Sequence, residues 1–278
     1  MTTLVNAEKV RKSFGSTVAV DGVDLSVESG EIVGLLGANG AGKTTLMRCL
    51  LGTLAPSSGH TRLFGEPPSR ATRARLGYVP QGQGLYADLT VAENAEFMAT
   101  AYGLAAPATG DNRLVARLPL GEKRRIAFEL ALAHRPELLI LDEPTSGVGV
   151  TEAARLWDVI GAETKRGVGV LVTTHNMAEA AQCDRLVVLV DGAVAAAGNN
   201  EEVLADSKVV TVDTLEWRSA LAAATAAGLR VALAGRRVRV VSDDLALVRL
   251  ALAGQNVTTR LVPATLDERL VMLAARPS

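Results

Sequence analysis

The stretch EIVGLLGANGAGKTTLMRCLLG, residues 31–52, decides the fold. It passes from a short apolar run into a glycine-rich loop and then into a helical pattern. Within it, Gly37–Thr44 reads GANGAGKT and matches G-x-x-x-x-G-K-[ST] in the strand–loop–helix setting that this motif requires. Glycines there let backbone N–H groups wrap a β-phosphate, and the helix N-terminus adds positive potential. Lys43 is placed to reach the β- and γ-phosphates, and Thr44 to give its hydroxyl to Mg²⁺. ATP and Mg²⁺ are therefore the expected ligands.

The same chemistry extends to two later segments. LLILD, residues 138–142, is a continuous apolar run, the mark of a strand buried on both faces of a sheet. Asp142 and Glu143 follow at its C-terminal end, which in an open α/β sheet faces the ligand crevice. Asp142 can hold Mg²⁺ through water, and Glu143 can polarise an attacking water. His175 ends the strand VLVTTH, where an imidazole can touch a γ-phosphate.

Around these motifs, strands alternate with helices. LVNAEKV, VAVDGVDLSV, GHTRLFG, LGYVPQ and DRLVVLV read as further strands. Helices are expected over 90–103, with Thr90 and Glu93 as a capping box, and over 121–134, 151–164 and 177–182. Residues 105–112 read as a polar loop. The alternation predicts a layered α/β domain with a parallel sheet over residues 1–205. Residues 206–278 change style. A strand, a helix boxed by Asp213 and Glu216, a hairpin about Gly235-Arg236, a helix over 242–253, a strand and a helix boxed by Thr265 and Glu268 predict a small ferredoxin-like α+β domain.

Composition sets the outer limits. The chain has 278 residues, 48% hydrophobic and 21% charged, enough for a large and a small core. A net charge of −1 and 3% aromatics argue against nucleic acid as a partner, since neither a basic field nor stacking platforms are present. The two cysteines, Cys49 and Cys183, suggest core thiols in a reducing compartment rather than a disulfide framework. No apolar run reaches about 20 residues, the length a spanning helix needs. A soluble protein is expected, docking on another chain if it works at a membrane.

Residues 3–205 resemble, in order, the ATP-binding cassette (ABC) family, specifically the nucleotide-binding subunits of transporters. Phe14-Gly15 resembles the aromatic loop that stacks on adenine. GANGAGKTT resembles the Walker A loop, so Gly37, Asn39, Gly40, Ala41, Gly42, Lys43, Thr44 and Thr45 are the implied nucleotide contacts. YVPQ resembles the Q-loop, whose Gln81 would sense Mg²⁺ and the membrane subunit. LPLGE resembles the signature segment, LLILDEP Walker B, SGVG the D-loop and TTH the switch histidine. Implied metal contacts are Thr44, Gln81 and Asp142; implied catalytic residues are Glu143, His175 and Gln81. LYADLTVAENAEF and NMAEAAQCDRLVVLVDGAVAAAG are most similar to the drug-exporter, ABC-2-type branch. The resemblance implies a head-to-tail dimer closing on two ATP molecules. It also implies an integral-membrane permease exporting drugs or other small hydrophobic molecules, and a cytoplasmic position on the inner face of the membrane.

Three departures stand out. The family's usual Leu-Ser-Gly-Gly-Gln reads Leu118, Pro119, Leu120, Gly121, Glu122. Pro119 has neither hydroxyl nor N–H, and Leu120 carries a side chain where glycine admits the backbone. Glu122 brings negative charge toward a polyphosphate unless Lys123, Arg124 or Arg125 offsets it. In the D-loop, Gly149 replaces an Asp. Between Gln81 and Gly121 the helical subdomain is short. Three readings stay open: a working variant in a homodimer, one half of a heteromeric pair with a degenerate site in which LPLGE faces the partner's ATP, or a nucleotide-binding regulator. DNA-repair and ribosomal cassettes fit less well, because no sustained heptads or basic linker are present. Among lesser features, Arg70, Arg73 and Arg75 read as a solvated helix face, RRVRV as an exposed hairpin strand, and His60 and His134 as surface or helix-end residues.

Overall fold

A computed structural model describes residues 2–82, 84–105 and 110–275. Much of the expected 105–112 loop lies outside the described residues. The chain divides into two compact units, Met1–Ala197 and Gly198–Ser278.

The first unit runs β1 (Thr3–Phe14), β2 (Thr17–Glu28), β3 (Ile32–Leu36), α1 (Lys43–Leu50), β4 (Ser58–Leu63), α2 (Arg70–Arg73), β5 (Leu76–Val79) and α3 (Val91–Tyr102). A 3-10 turn (Val115–Arg117) leads into α4 (Leu120–Leu132), β6 (Leu138–Asp142), α5 (Val150–Lys165), β7 (Gly169–Thr174), α6 (Met177–Ala180), β8 (Arg185–Val190) and β9 (Ala193–Gly198). Six strands form one sheet in the order β5-β6-β7-β3-β8-β9, and β2-β1-β4 form a separate antiparallel sheet.

The apolar runs behave as strands closed on both faces: every residue of β3, β6 and β7 is buried. Leu46, Met47 and Leu50 of α1 join Leu35, Ile140 and Leu171 of the parallel sheet, and Val5, Val23 and Leu63 of the antiparallel sheet, in one core. The strand order matters for function. β6, β7 and β3 are parallel neighbours, with Asp142 beside Thr173 and Leu36 beside Thr174. The segments that follow all three strands therefore leave the sheet at one edge.

The region between Gln81 and α4 holds only α3 and the 3-10 turn as helices among the described residues. Val91, Val115, Leu118 and Ile126 make its small core. Buried Asn94 ties it together by donating to the carbonyls of Tyr86 and Thr90 and accepting from the Tyr86 amide. The box on α3 forms as expected, with Thr90 and Glu93 satisfying each other's amides.

The second unit contains α7 (Asn200–Leu204), β10 (Lys208–Asp213), α8 (Trp217–Ala226), β11 (Val231–Ala234), β12 (Arg237–Val240), α9 (Leu245–Ala251), β13 (Thr258–Pro263) and α10 (Leu266–Ala274). Its sheet is ordered β11-β12-β10-β13 with all pairs antiparallel, the ferredoxin-like arrangement expected. The unit begins earlier than residue 206. α7 belongs to it, since Arg269 of α10 donates to the Val203 carbonyl at 2.9 Å.

Three local expectations are corrected here. Asp213 and Glu216 make no capping box on α8; the Thr214 hydroxyl takes the Glu216 amide at 3.1 Å while donating to the Asn256 carbonyl. RRVRV is half buried: Val238 and Val240 face the core, and Arg239 Nη2 donates to Glu268 at 2.8 Å. Burial alone would raise the Glu268 pKa, but its bonds to Arg239 and Thr265 bring it below the usual carboxylate value. The basic cluster is not simply a solvated face either. Arg73 bonds the Leu51 carbonyl, and Arg75 pairs with Glu137 at 2.7 Å and lies over the Phe64 ring.

Because Ile140 is fully buried in the central strands, Ile140→Ala is expected to lower unfolding free energy by about 2–5 kcal/mol. A denaturant-midpoint shift at constant m-value checks this. A loss below about 1 kcal/mol would mean that this strand is not packed as described.

Candidate functional site

The phosphate loop is built by a backbone that only glycine tolerates at its tightest point. Gly42 caps α1 in the left-handed region, φ 98°, and a Cβ there would lie 2.3 Å from the Ala19 carbonyl oxygen. No side chain caps α1, so its first amides are free for an anion. Lys43 is buried, and its Nζ curls back onto the carbonyls of Gly37 and Ala38 at 2.7 and 3.1 Å. Burial lowers its pKa, with Glu143 and Asp142 acting the other way. A buried ammonium held by two carbonyls beside an open helix start is a cation awaiting an anion. A cleft of about 300 Å³ opens there, lined by Asn39, Gly40, Gly42, Lys43, Thr44 and Thr45 together with Ala19, Gln81 and Glu143. These residues fit a polyphosphate with a bound cation.

The acidic end is equally constrained. Asp142 accepts from the Thr173 hydroxyl at 2.6 Å, and that hydroxyl accepts from the Glu143 amide at 3.0 Å. Glu143 takes φ 48°, a left-handed conformation unusual for a side-chain-bearing residue. Its carboxylate accepts from Gln81 Nε2 on one oxygen at 3.2 Å, and His175 Nδ1 lies 3.2 Å from the other. A second cleft of about 270 Å³ lies beyond it, with Glu143, His175, Ser146 and Glu179 in its walls. Glu143 thus stands between two openings. The three expected catalytic residues are brought together within hydrogen-bond reach.

Other expected contacts lie apart from this cleft. Phe14 is about half exposed at the end of β1, with Lys12 Nζ 5.3 Å from its ring centre. Gly37 and Ala41 are buried under the loop; a Cβ on Gly37 would meet the Leu189 carbonyl. Leu120, Gly121 and Glu122 form the first turn of α4, on whose start Pro119 offers no side-chain cap. Leu120 packs over Gly147, where a Cβ would lie 2.7 Å from Leu120 Cδ2. Gly149 is the N-cap of α5 with no side chain to offer.

The charge on Glu122 is not met by the residues expected to meet it. Lys123 bonds the Ala116 carbonyl, Arg125 pairs with Glu129, and Arg124 turns inward. Arg113 takes the role instead, binding Glu122 at 2.9 Å and Asp111 at 2.8 Å. Those bonds raise its pKa and lower that of Asp111. The partner comes from nine residues upstream, outside the helical spacing that suggested the others.

Sequence reading also passed over Glu179, and gave Arg124 only as a possible offset to Glu122. Glu179 sits on α6 and is 5% exposed. Burial raises its pKa, while Thr174 and His175 act to lower it and Glu143 to raise it further. His134 is no free helix end: its ring stacks on Tyr102 at 3.8 Å, and burial lowers its pKa.

A raised carboxyl pKa in the fold means that the protonated form is favoured there. Its stabilising contribution is present below the unfolded pKa and is lost as pH rises through the folded pKa. Glu179→Gln is therefore expected to raise the melting temperature at pH 7–8 and to lose that advantage near pH 4. Equal melting-temperature differences at both pH values would contradict the burial of this carboxyl.

Comparison with known proteins accounts for this arrangement. The ABC transporter family profile matches residues 20–146. The Nod factor export ATP-binding protein I of Cupriavidus pinatubonensis is 34% identical, over 99% of this chain and 92% of its own length. That of Paraburkholderia xenovorans is 40% identical, over 72% of each. The "Probable multidrug ABC transporter ATP-binding protein YbhF" of Escherichia coli K12 is 38% identical over 74% of this chain, which spans 39% of that longer protein. Among solved structures, an ATP-binding subunit of an ABC transporter superposes with a TM-score of 0.66 at 26% identity, covering 72% of this chain and 91% of that one. A dimeric ATP-binding cassette bound to ADP and phosphate shares the fold, with a TM-score of 0.65 at 23% identity over 70% of this chain and 98% of its own. From the phosphate loop through the carboxylate after β6, and along relatives matched over most of their length, this chain belongs to the ATP-binding subunits of the ABC transporter family.

Proposed function

We propose that the chain binds ATP with Mg²⁺, closes on a second cassette, and hydrolyses the nucleotide to drive a separate membrane permease in export. The observation that carries the hydrolytic part is Glu143, bonded by Gln81 on one oxygen with His175 3.2 Å from the other, at the edge of the Lys43 cleft. Each carboxylate oxygen keeps a further lone-pair site for water. Glu143 takes the proton of the attacking water, and its fixed rotamer supplies the orientation that general-base catalysis needs. Lys43 and the first amides of α1 hold the β- and γ-phosphates, and the Nε2–H of His175 donates to a phosphate oxygen. The Thr44 hydroxyl, Gln81 and Asp142 would hold Mg²⁺, which supplies charge neutralisation on the polyphosphate. Phe14 serves the adenine ring.

Export rests on the relatives. Two carry Nod factor export in their names and one multidrug transport. Drugs or other small hydrophobic molecules are the proposed cargo, handled by the permease. No helix among the described residues is long and apolar enough to cross a membrane, so the cargo path is assigned to a partner and the chain to the cytoplasmic face.

Pairing is proposed between two copies. Pro119 and the Glu122–Arg113 pair favour one specific second reading, a complex with a different cassette whose ATP the LPLGE turn would hold weakly. ATP turnover against protein concentration separates them. A homodimer predicts turnover rising with the square of concentration when the protein is dilute; a heteromeric pair predicts turnover only after the other cassette is added. Lys43→Ala is expected to weaken nucleotide binding by about 10–100-fold, the loss of one charge-assisted contact set. Unchanged affinity in a fluorescent-nucleotide titration would remove Lys43 from the phosphate site.

A further inference from the structure

Arg124 lies in the second turn of α4 and is only 4% exposed. Its Nη2 donates to the Gln81 carbonyl at 2.7 Å and its Nη1 to the Pro80 carbonyl at 3.1 Å. Nε is buried without a hydrogen-bond partner among the described residues. Burial lowers the pKa of this guanidinium, and the nearby charges of Asp142 and Glu143 only partly offset it. A buried cation bonded to neutral carbonyls is a poor device for stability, since an apolar side chain of similar volume fills such space at lower cost.

Its geometry suits another task. The two carbonyls it binds flank the Gln81 backbone on either side, while the Gln81 side chain reaches Glu143. One turn earlier, α4 opens with the LPLGE segment, with Leu120 seated over Gly147 and Glu122 tied to Arg113. The backbone of α4 joins LPLGE to Arg124, and hydrogen bonds join Arg124 to the Gln81 backbone and the Gln81 side chain to Glu143.

We infer that Arg124 is a positioning residue that couples the LPLGE turn to Glu143 through Gln81. This deepens the hydrolytic reading above and rests on it. A nucleotide held by a partner against LPLGE displaces the first turn of α4, and Arg124 passes that displacement to the Gln81–Glu143 contact. The occupancy of one site thereby biases catalysis in the other.

The test uses the full chain with Arg124→Met and Arg124→Lys. ATP affinity is read with a fluorescent analogue, kcat and the Hill coefficient from steady-state turnover, and backbone exchange over residues 78–82 from hydrogen–deuterium exchange without nucleotide. In Arg124→Met, affinity is expected to stay within about threefold while kcat falls about 10–100-fold and the Hill coefficient moves toward 1. Exchange over 78–82 accelerates while β6 and β7 keep their protection, and Arg124→Lys recovers part of the rate. Unchanged kcat and Hill coefficient in active protein would overturn the inference. So would parallel losses of affinity, rate and β6–β7 protection, which mark a structural role alone. A wild-type chain that turns over neither alone nor with a second cassette defeats the hydrolytic reading instead, and the exchange data then decide by themselves whether Arg124 holds the Gln81 backbone.

Discussion

The Thr173 hydroxyl donates to Asp142 at 2.6 Å and accepts from the Glu143 amide at 3.0 Å, in the fully buried seam between β6 and β7. Glu143 must leave its strand with φ 48° to project across the edge of the sheet. That conformation costs on the order of 1–3 kcal/mol. Buried hydrogen bonds contribute roughly 1 kcal/mol each, and more when one partner is charged. The Thr173 bond to the Glu143 amide and the Gln81 bond to its carboxylate act against that cost. One hydroxyl thus ties the Asp142 carboxylate to the Glu143 amide, and the Glu143 side chain stands between two clefts. Parallel pairing of β6, β7 and β3 makes this possible, because it brings three strand ends to one edge.

Much of this was legible in the amino-acid order. The phosphate loop declares itself by glycine spacing, since the backbone approach at Gly42 excludes any other residue. LLILD declares a strand closed on both faces because no polar residue interrupts it. The capping boxes at Thr90 and Thr265 obey local rules and form as read. What escaped depends on partners distant in sequence or on competing local bonds. Asp213 and Glu216 had the right spacing for a box, but the Thr214 hydroxyl took the amide first. Glu179 looked like an ordinary helix carboxylate, and only tertiary packing buries it. Arg124 stood as one of three possible offsets to Glu122, and its inward turn follows from the fit of α4 against the Pro80–Gln81 backbone.

The unusual LPLGE segment is a well-formed helix start with its own compensations. Arg113 offsets Glu122, and Leu120 fills the notch left open at Gly147. A glycine at position 120 would leave that notch empty, and a residue larger than glycine at 147 would collide with it. The two positions are therefore coupled by packing. The same turn that departs from the family's usual letters is tied into the fold at both its apolar and its charged residue.

The account turns on Glu143 as the base that activates water. The most direct measurement is ATP binding and ATP turnover side by side in Glu143→Gln, a change that keeps shape and removes the basic oxygen. The account predicts affinity within about threefold of wild type and turnover lower by at least about 100-fold. Turnover equal to wild type would contradict it and send the search for the base elsewhere in the two clefts that meet at this residue.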